Sequence, residues 1–147
     1  MKLSTRGRYG SLLLLDLALH REMGPVLLRD IAERQRIPLP YLKHLLAPLI
    51  AGGLLRSTRG AKGGLVLAKP PEQITLKEVV QLLEGSIAPV ECVNNPEMCE
   101  RSGICAPRDV WAELNEAMEG VLVSTTLDDL AEKQRMKQQP EGAMYHI

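Results

Sequence analysis

Residues 40–68 read PYLKHLLAPLIAGGLLRSTRGAKGGLVLA. Apolar side chains recur in the first half at the spacing of one helix face: Leu42, Leu45, Leu46, Leu49 and Ile50. This stripe predicts a helix over residues 40–51. Proline is tolerated at the first helical position, and the glycine pair at 52–53 ends a helix readily.

The second half of the stretch has the pattern of a β-hairpin. Two apolar segments, residues 54–57 and 65–68, flank the sequence RGAKGG at residues 59–64. Glycines allow a tight turn, and the two cations lie within it. We therefore predict a short two-stranded wing directly after the helix.

Upstream, apolar spacing predicts two further helices, over residues 9–21 and 27–36. Three short helices followed by a hairpin is the element order of a winged helix-turn-helix, in which the third helix enters the DNA major groove. The predicted fold class is mainly α with a small β wing. The candidate DNA contacts are Tyr41, Lys43 and His44 on the third helix and Arg59 and Lys62 on the wing.

The remaining chain is also largely helical by pattern. A capping box at Thr75 and Glu78 predicts a helix that ends near Glu84. A long helix is expected over residues 107–123, with apolar residues at heptad-like spacing (Val110, Leu114, Ala117 and Val121), and a short last helix begins near Thr126. Between them, residues 85–106 are expected to form a loop.

The net charge of zero conceals two oppositely charged halves. Residues 1–69 carry twelve Lys or Arg and four acids, a net charge of +8, whereas residues 70–147 carry six and fourteen, a net charge of −8. A solvated basic face would account for the cations alone. Together with the helix order and the wing glycines, the charge favours a double-stranded DNA partner for the first half.

The cysteines are three, and all lie in the predicted loop. Cys92, Cys99 and Cys105 follow the spacing C-x6-C-x5-C, which matches neither zinc fingers nor ferredoxins. An odd number of clustered thiols favours metal or redox chemistry over a disulfide framework. Soft sulfur ligands suit zinc or an iron–sulfur cluster, and a cluster-free thiol switch and inert buried cysteines are the alternatives.

Other function classes find little support in the sequence. Asp16 and His20 form a common i, i+4 helix pair, and no nucleophile–base constellation stands out, so we expect no enzyme. No apolar run approaches the ~20 residues of a membrane span. The basic N-terminus lacks a cleavage site for a signal peptide, so we expect a cytoplasmic protein without a membrane partner.

Five stretches carry a family resemblance: residues 1–10, 24–26, 30–35, 41–42 and 59–64. Together with the three cysteines they resemble the bacterial iron–sulfur winged-helix regulators typified by IscR, with NsrR and RirA as relatives. The resemblance covers about residues 1–135. It implies a homodimer that crosses through the long C-terminal helix, a cluster held by Cys92, Cys99 and Cys105, and binding to a palindromic DNA operator.

The resemblance also suggests a domain organisation and a cofactor. Residues 1–84 would form the DNA-binding domain, 85–106 the cluster loop, 107–137 the dimerisation helices and 138–147 a disordered tail. A [2Fe-2S] cluster is favoured over [4Fe-4S], because NsrR-type proteins use an aspartate near residue 8 and this chain has Arg8, as IscR does. The alternatives are a cluster-free thiol-responsive regulator and a zinc or structural metal–sulfur protein.

The chain departs from the IscR pattern at two positions. IscR-type proteins have a histidine three residues after the third cysteine, where this chain has Arg108. They have a glutamate on the recognition helix where this chain has Lys43. The first departure concerns the fourth cluster ligand. The second inverts a charge that faces the bases, so the IscR operator sequence is not carried over to this chain.

Overall fold

The computed structural model describes residues 2–139, which form seven α-helices and a two-stranded antiparallel sheet. The elements are α1 Thr5–Leu19, α2 Leu28–Gln35, α3 Leu39–Ala51, β1 Leu55–Thr58, β2 Gly64–Leu67, α4 Leu76–Glu84, α5 Glu91–Asn94, α6 Ala106–Ser124 and α7 Leu127–Lys137. Short 3-10 turns lie at Arg21–Met23, Pro71–Gln73, Pro96–Met98 and Ser102–Ile104. This order confirms the predicted helical fold with a β wing.

Helix α1 lies at the centre of the hydrophobic core. Its residues from Leu13 to Ala18 are all buried, and α2, α3, α4 and α7 pack around it. A helix enclosed in this way needs apolar side chains on most faces, which is the pattern of its sequence. The helices that precede the wing and the last helix of the C-terminal part therefore pack against the same helix, α1.

The start of α1 depends on an acid from a distant part of the chain. The Glu84 carboxylate accepts hydrogen bonds from the backbone N–H and the hydroxyl of Ser4, at 2.8 and 2.5 Å, and from the Gly7 N–H at 3.1 Å. It thereby satisfies N–H groups that have no partner inside the helix. The Ser4 hydroxyl and these N–H groups lower the pKa of Glu84 despite its partial burial. The helix consequently begins at Thr5, four residues before the predicted start.

Side-chain caps begin both α4 and α7. The Thr75 hydroxyl accepts from the Glu78 N–H at 3.2 Å while the Glu78 carboxylate accepts from the Thr75 N–H at 3.0 Å. Thr126 and Asp129 form the same reciprocal pair at the start of α7. Both predicted starts are confirmed, and each capping box contributes about 1 kcal/mol.

The starts of these two helices are joined side by side. Thr75 and Thr126 form an isolated antiparallel bridge, and the Leu127 N–H donates to the Ile74 carbonyl at 2.9 Å. Leu127 is fully buried, and with Ala131 it belongs to the same core as α1. The chain thus returns through α7 to the helices at its beginning.

The loop predicted over residues 85–106 is partly helical. It contains α5 and two of the 3-10 turns. None of these elements exceeds four residues, so none is long enough to show a helical periodicity. The predicted loop thus contains short helical turns that the sequence pattern did not predict.

Residues 140–147 of the expected disordered tail lie outside the described part of the chain. Within residues 2–139, no helix has the length and apolar character needed to cross a membrane.

Candidate nucleic-acid interface and cysteine segment

Helix α3 presents one face to the core and the opposite face to solvent. Leu42, Leu45 and Leu49 are at most 1% exposed. Lys43 and His44 lie between these positions along the helix and are exposed. An α-helix in this position can offer the two polar side chains to a DNA groove without disturbing the core.

Tyr41, the third candidate on α3, is half-buried and contacts α1. Its ring meets the Tyr9 ring edge-to-face, with centroids 5.1 Å apart and an interplanar angle of 89°. The Arg8 guanidinium lies 5.7 Å from the Tyr9 centroid. Such aromatic pairs contribute about 0.5–1.5 kcal/mol beyond burial, so Tyr41 also fixes the start of α3 on α1.

The wing turn between β1 and β2 exposes Arg59 and Lys62. Its tight path requires glycine, because Gly60 has φ = 104° and a Cβ at Gly63 would collide with the Thr58 carbonyl oxygen. The Thr58 hydroxyl also accepts from the Gly64 N–H at 3.1 Å. The two cations are therefore held on a defined turn.

A third stretch of chain anchors the wing. The Leu65 N–H donates to the Val26 carbonyl at 2.7 Å, and the Val26 N–H donates to the Leu65 carbonyl at 3.0 Å. Val26 and Leu65 are both buried. The wing is thereby attached to the segment that leads into α2.

Helix α2 is fixed to α1 through a buried acid. Asp16 is fully buried and accepts from Arg34 Nε and Nη2 at 3.0 and 2.7 Å and from Gln35 Nε2 at 3.0 Å. Burial opposes ionisation of this acid, but the hydrogen bonds and the charges of Arg34 and His20 outweigh it and lower the pKa of Asp16. His20, its partner in the sequence analysis, is the more distant neighbour, with Nδ1 3.4 Å from Oδ1.

The surface around these elements is rich in free cations. Nine exposed Lys and Arg side chains of the first half form no ion pair within residues 2–139: Lys2, Arg6, Arg8, Arg29, Arg36, Lys43, Arg56, Arg59 and Lys62. Cations without acidic partners are available to phosphates, whose neutralisation releases counterions and favours binding.

The cysteine segment, residues 91–105, begins with α5 and ends at α6. Cys92 lies in α5, Cys99 follows a 3-10 turn, and Cys105 is the residue that precedes α6. All three thiols are free; Cys99 is exposed and the other two are half-buried. In the part of the chain that the structure describes, no three Cys, His, Asp or Glu side chains are placed to hold a metal ion.

Two hydrogen bonds fix α5 in this arrangement. Arg108 Nε donates to the Cys92 carbonyl at 3.0 Å, and Asn94 Nδ2 donates to the Ser86 hydroxyl at 2.8 Å. Arg108 is the residue at the position of the IscR-type histidine, and a guanidinium has no lone pair to offer a metal. The three thiols fit a metal–sulfur centre by their chemistry, because thiolates are soft ligands, but the arrangement described for residues 2–139 does not gather them.

Helix α6 turns much of its apolar surface outward. Val110, Trp111 and Val121 are 56%, 39% and 64% exposed, so the predicted heptad-like stripe is not buried within the chain. Asn115 is buried instead, and its Oδ1 has no hydrogen-bond partner among the described residues. A helix with this pattern has an apolar face available to another surface.

Residues 3–133 match the family of iron-dependent transcriptional regulators named Rrf2. The chain belongs to the Rrf2 family. The match spans the helices, the wing and the cysteine segment. It confirms the resemblance drawn from the sequence motifs.

Several named proteins are similar in sequence to this chain along nearly its whole length. Protein rrf2 of Nitratidesulfovibrio vulgaris is 45% identical over 130 residues, 88% of this chain and 87% of that protein. The regulator CymR of Bacillus subtilis is 40% identical over 147 residues, the full length of both chains. The solved structure of T. potens IscR is 37% identical, covers 99% of this chain and 97% of its own, and gives a TM-score of 0.81.

These relatives define the general function of the chain. CymR and the IscR proteins are named HTH-type transcriptional regulators. The chain is accordingly a DNA-binding transcription regulator and not an enzyme, as the sequence predicted.

Three contacts around the candidate interface and the cysteine segment of this Rrf2 protein were not predicted from the sequence: Tyr9 with Tyr41, Arg34 with Asp16, and Arg108 with Cys92. A signal existed for one of them. Asp16 is a charged residue inside an apolar helix, which predicts a buried partner. The other two contacts join half-buried residues of separate elements, and nothing in their spacing indicates them.

Proposed function

We propose that this Rrf2 protein is a homodimer that binds a palindromic operator and adjusts its affinity through an iron–sulfur cluster on Cys92, Cys99 and Cys105. The observation that carries the proposal is the position of the cysteine segment. It begins seven residues after the end of α4 and ends at Cys105, directly before α6, so a change in its shape acts on both helices.

The DNA contacts are proposed from exposure and charge. Lys43 and His44 would meet base edges in the major groove, with Tyr41 beside them at the start of α3. Arg59 and Lys62 would meet the backbone or the minor groove, whose negative potential attracts guanidinium groups. Two observations support these roles. Lys43 and His44 are exposed on a helix whose opposite face is buried in the core, and the two wing cations are exposed on a turn of fixed path.

Three thiolates would hold the cluster, and we favour [2Fe-2S]. A bound cluster supplies a centre that forms or is lost with the supply of iron and with oxidation. The segment would have to close to bring Cys99 towards Cys92 and Cys105. A ligand that orders one arrangement of a segment shifts the population of the whole protein towards it.

The route from the cysteine segment to the DNA-binding elements runs along α6. Cys105 lies at one end of this helix. At the other end the Thr125 carbonyl accepts from the Leu76 N–H at 2.8 Å, and Leu127 enters the core beside α1. A displacement of α6 would therefore reach α4 and α1, which support the recognition helix.

The exposed apolar face of α6 supports the proposed homodimer. We assign residues 1–84 to DNA binding, 85–106 to the cluster and 107–137 to dimerisation. Two copies related by a two-fold axis would present two α3 helices to the two halves of a palindrome.

The test combines colour, iron content and DNA binding. Protein purified without oxygen should contain iron and sulfide and absorb visible light, and Cys99→Ala should abolish the absorbance. Binding to an operator fragment should fall steeply with salt and should differ between the loaded and the cluster-free protein. A colourless protein with zinc or no metal would refute the cluster, and a flat salt response would refute the DNA interface.

A cluster-free thiol regulator is the second candidate. The described arrangement does not gather the three thiols, and B. subtilis CymR, 41% identical in its solved structure, is named the global cysteine regulator. In that case, iron and sulfide would be absent after anaerobic purification, and oxidation of the thiols alone would change operator affinity.

A further inference from the structure

Arg108 holds a costly position at the start of α6. It is the third residue of the helix, in the first turn, where the helix dipole disfavours a cation. Its side chain is half-buried and points its Nε–H at the carbonyl of Cys92, 16 residues earlier in the chain. A cation placed against the dipole and bonded across the segment indicates a role in that segment.

The contact holds the Cys92 backbone beside the start of α6, the helix that Cys105 directly precedes. Cys105 lies three residues before Arg108 in the chain, and the Cys92 carbonyl accepts a hydrogen bond from Arg108. Arg108 uses only Nε in this bond, and within residues 2–139 its two Nη groups have no hydrogen-bond acceptor in the protein.

The charge around the segment needs such a cation. Glu91, Glu97 and Glu100 oppose a single internal cation, Arg101, and all four are exposed. Three thiolates on an oxidised [2Fe-2S] core, which itself carries two positive charges, would leave the centre with a net negative charge that increases on reduction. Arg108 lies outside the segment, but its cationic side chain donates a hydrogen bond to Cys92 within the segment.

We infer that Arg108 is a positioning residue of the cysteine segment, which fixes Cys92 beside Cys105 and compensates the negative charge of a sulfur-bound centre. Only the second role, compensation of negative charge, rests on the proposed cluster. The positioning half concerns the cluster-free chain and is tested there.

The first measurement is hydrogen exchange of cluster-free protein. In Arg108→Ala, the amides of residues 91–95 should exchange about fivefold faster, as expected for the loss of one hydrogen bond, while those of α4 stay unchanged. Arg108→Lys should exchange nearly as the original chain does, because one N–H is enough for the contact. Unchanged exchange at 91–95, or equal acceleration in α4, would overturn the positioning role.

The second measurement is the midpoint potential of the reconstituted cluster. Arg108→Gln should lower the potential, because loss of a nearby cation disfavours the more negative reduced state. Arg108→Lys should stay near the original value. Arg101→Gln, which removes an equal but solvent-exposed charge, should shift the potential less. An equal or larger shift in Arg101→Gln would overturn the compensating role.

The two halves of the experiment separate this inference from the proposed function. A chain that takes up no iron and sulfide overturns the proposed cluster and, with it, the compensating role of Arg108. The hydrogen-exchange result still decides whether Arg108 fixes the segment.

Discussion

Asp16 of α1 and Arg34 of α2 form a two-point ion pair, with one guanidinium bonded to both oxygens of a fully buried carboxylate. Paired bonds of this kind fix orientation as well as distance. Gln35 donates a further hydrogen bond to the same carboxylate. Because α2 leads directly into α3, this pair fixes the direction in which the recognition helix leaves the core.

Asp16→Asn should destabilise the fold by about 1.5–3 kcal/mol, the range for hydrogen bonds to charged groups. The loss stays below that of a fully buried ion pair, because the Arg34 side chain is 37% exposed and can be hydrated. Denaturant unfolding monitored by circular dichroism measures the change. Glu22→Gln is the matched control: Glu22 is 92% exposed, and its loss should cost less than about 0.5 kcal/mol. Equal effects of the two variants would contradict the role of the pair.

The same acid predicts how stability depends on pH. The folded state lowers the pKa of Asp16, so its contribution is complete above the unfolded pKa of about 3.9 and is lost as the pH falls towards the folded pKa. Glu78 and Glu84 act in the same direction, since their pKa values are also lowered. Unfolding free energies measured between pH 7 and pH 3 should fall below about pH 4, and less steeply in Asp16→Asn. Parallel curves for the two proteins would exclude Asp16 as a source of the loss.

Gly10→Ala should destabilise the protein although it lies within a helix. A Cβ at Gly10 would overlap Leu83 Cδ1 of α4, and Leu83 is only 5% exposed. Because Leu83 is buried and has little room to move aside, this overpacking should cost about 2–3 kcal/mol, the upper part of the usual range, against the ~1 kcal/mol gained in helix propensity. Thermal unfolding should show a lower Tm for the variant. A double variant with Leu83→Ala supplies the control, because its cost should be less than the sum of the two single costs.

Lys43→Ala and Arg59→Ala should weaken operator binding in different ways. Loss of a base contact by Lys43 should cost about 1–3 kcal/mol and relax sequence preference. Loss of a backbone contact by Arg59 should weaken binding to all sequences and reduce the slope of affinity against salt by about one ion. Fluorescence anisotropy at several salt concentrations separates these effects. Arg135→Ala on α7 is the control, and a comparable loss there would point to a general charge effect.

Where the structural signals are local, the sequence predicts the fold closely. Helix α3 begins and ends within one residue of its predicted bounds, because proline and a glycine pair lie at its ends. The capping boxes at Thr75 and Thr126 likewise carry their own partners three residues later. The wing turn is equally local, since its glycines determine its path.

The parts that were missed depend on distant residues. Helix α1 is capped by Glu84, 80 residues from Ser4, so its true start leaves no trace in the neighbouring sequence. The stripe on α6 does follow a heptad-like period, but such a period does not say which surface covers it. Among the candidate site residues, exposure of Lys43, His44, Arg59 and Lys62 agrees with the prediction, whereas contact with DNA stays a prediction.

The return of α7 to the core has a consequence for building chimaeric regulators. The first 84 residues are contiguous in sequence, but their core is closed by Leu127 and Ala131. A transplant that joined residues 1–84 to a foreign sensor would expose the apolar side of α1. An exchange limited to residues 85–105 leaves both α7 and the Thr75–Thr126 bridge in place. The part of this protein that can be exchanged is thus the internal segment 85–105. The parts of the chain before and after this segment share one core and have to be kept together.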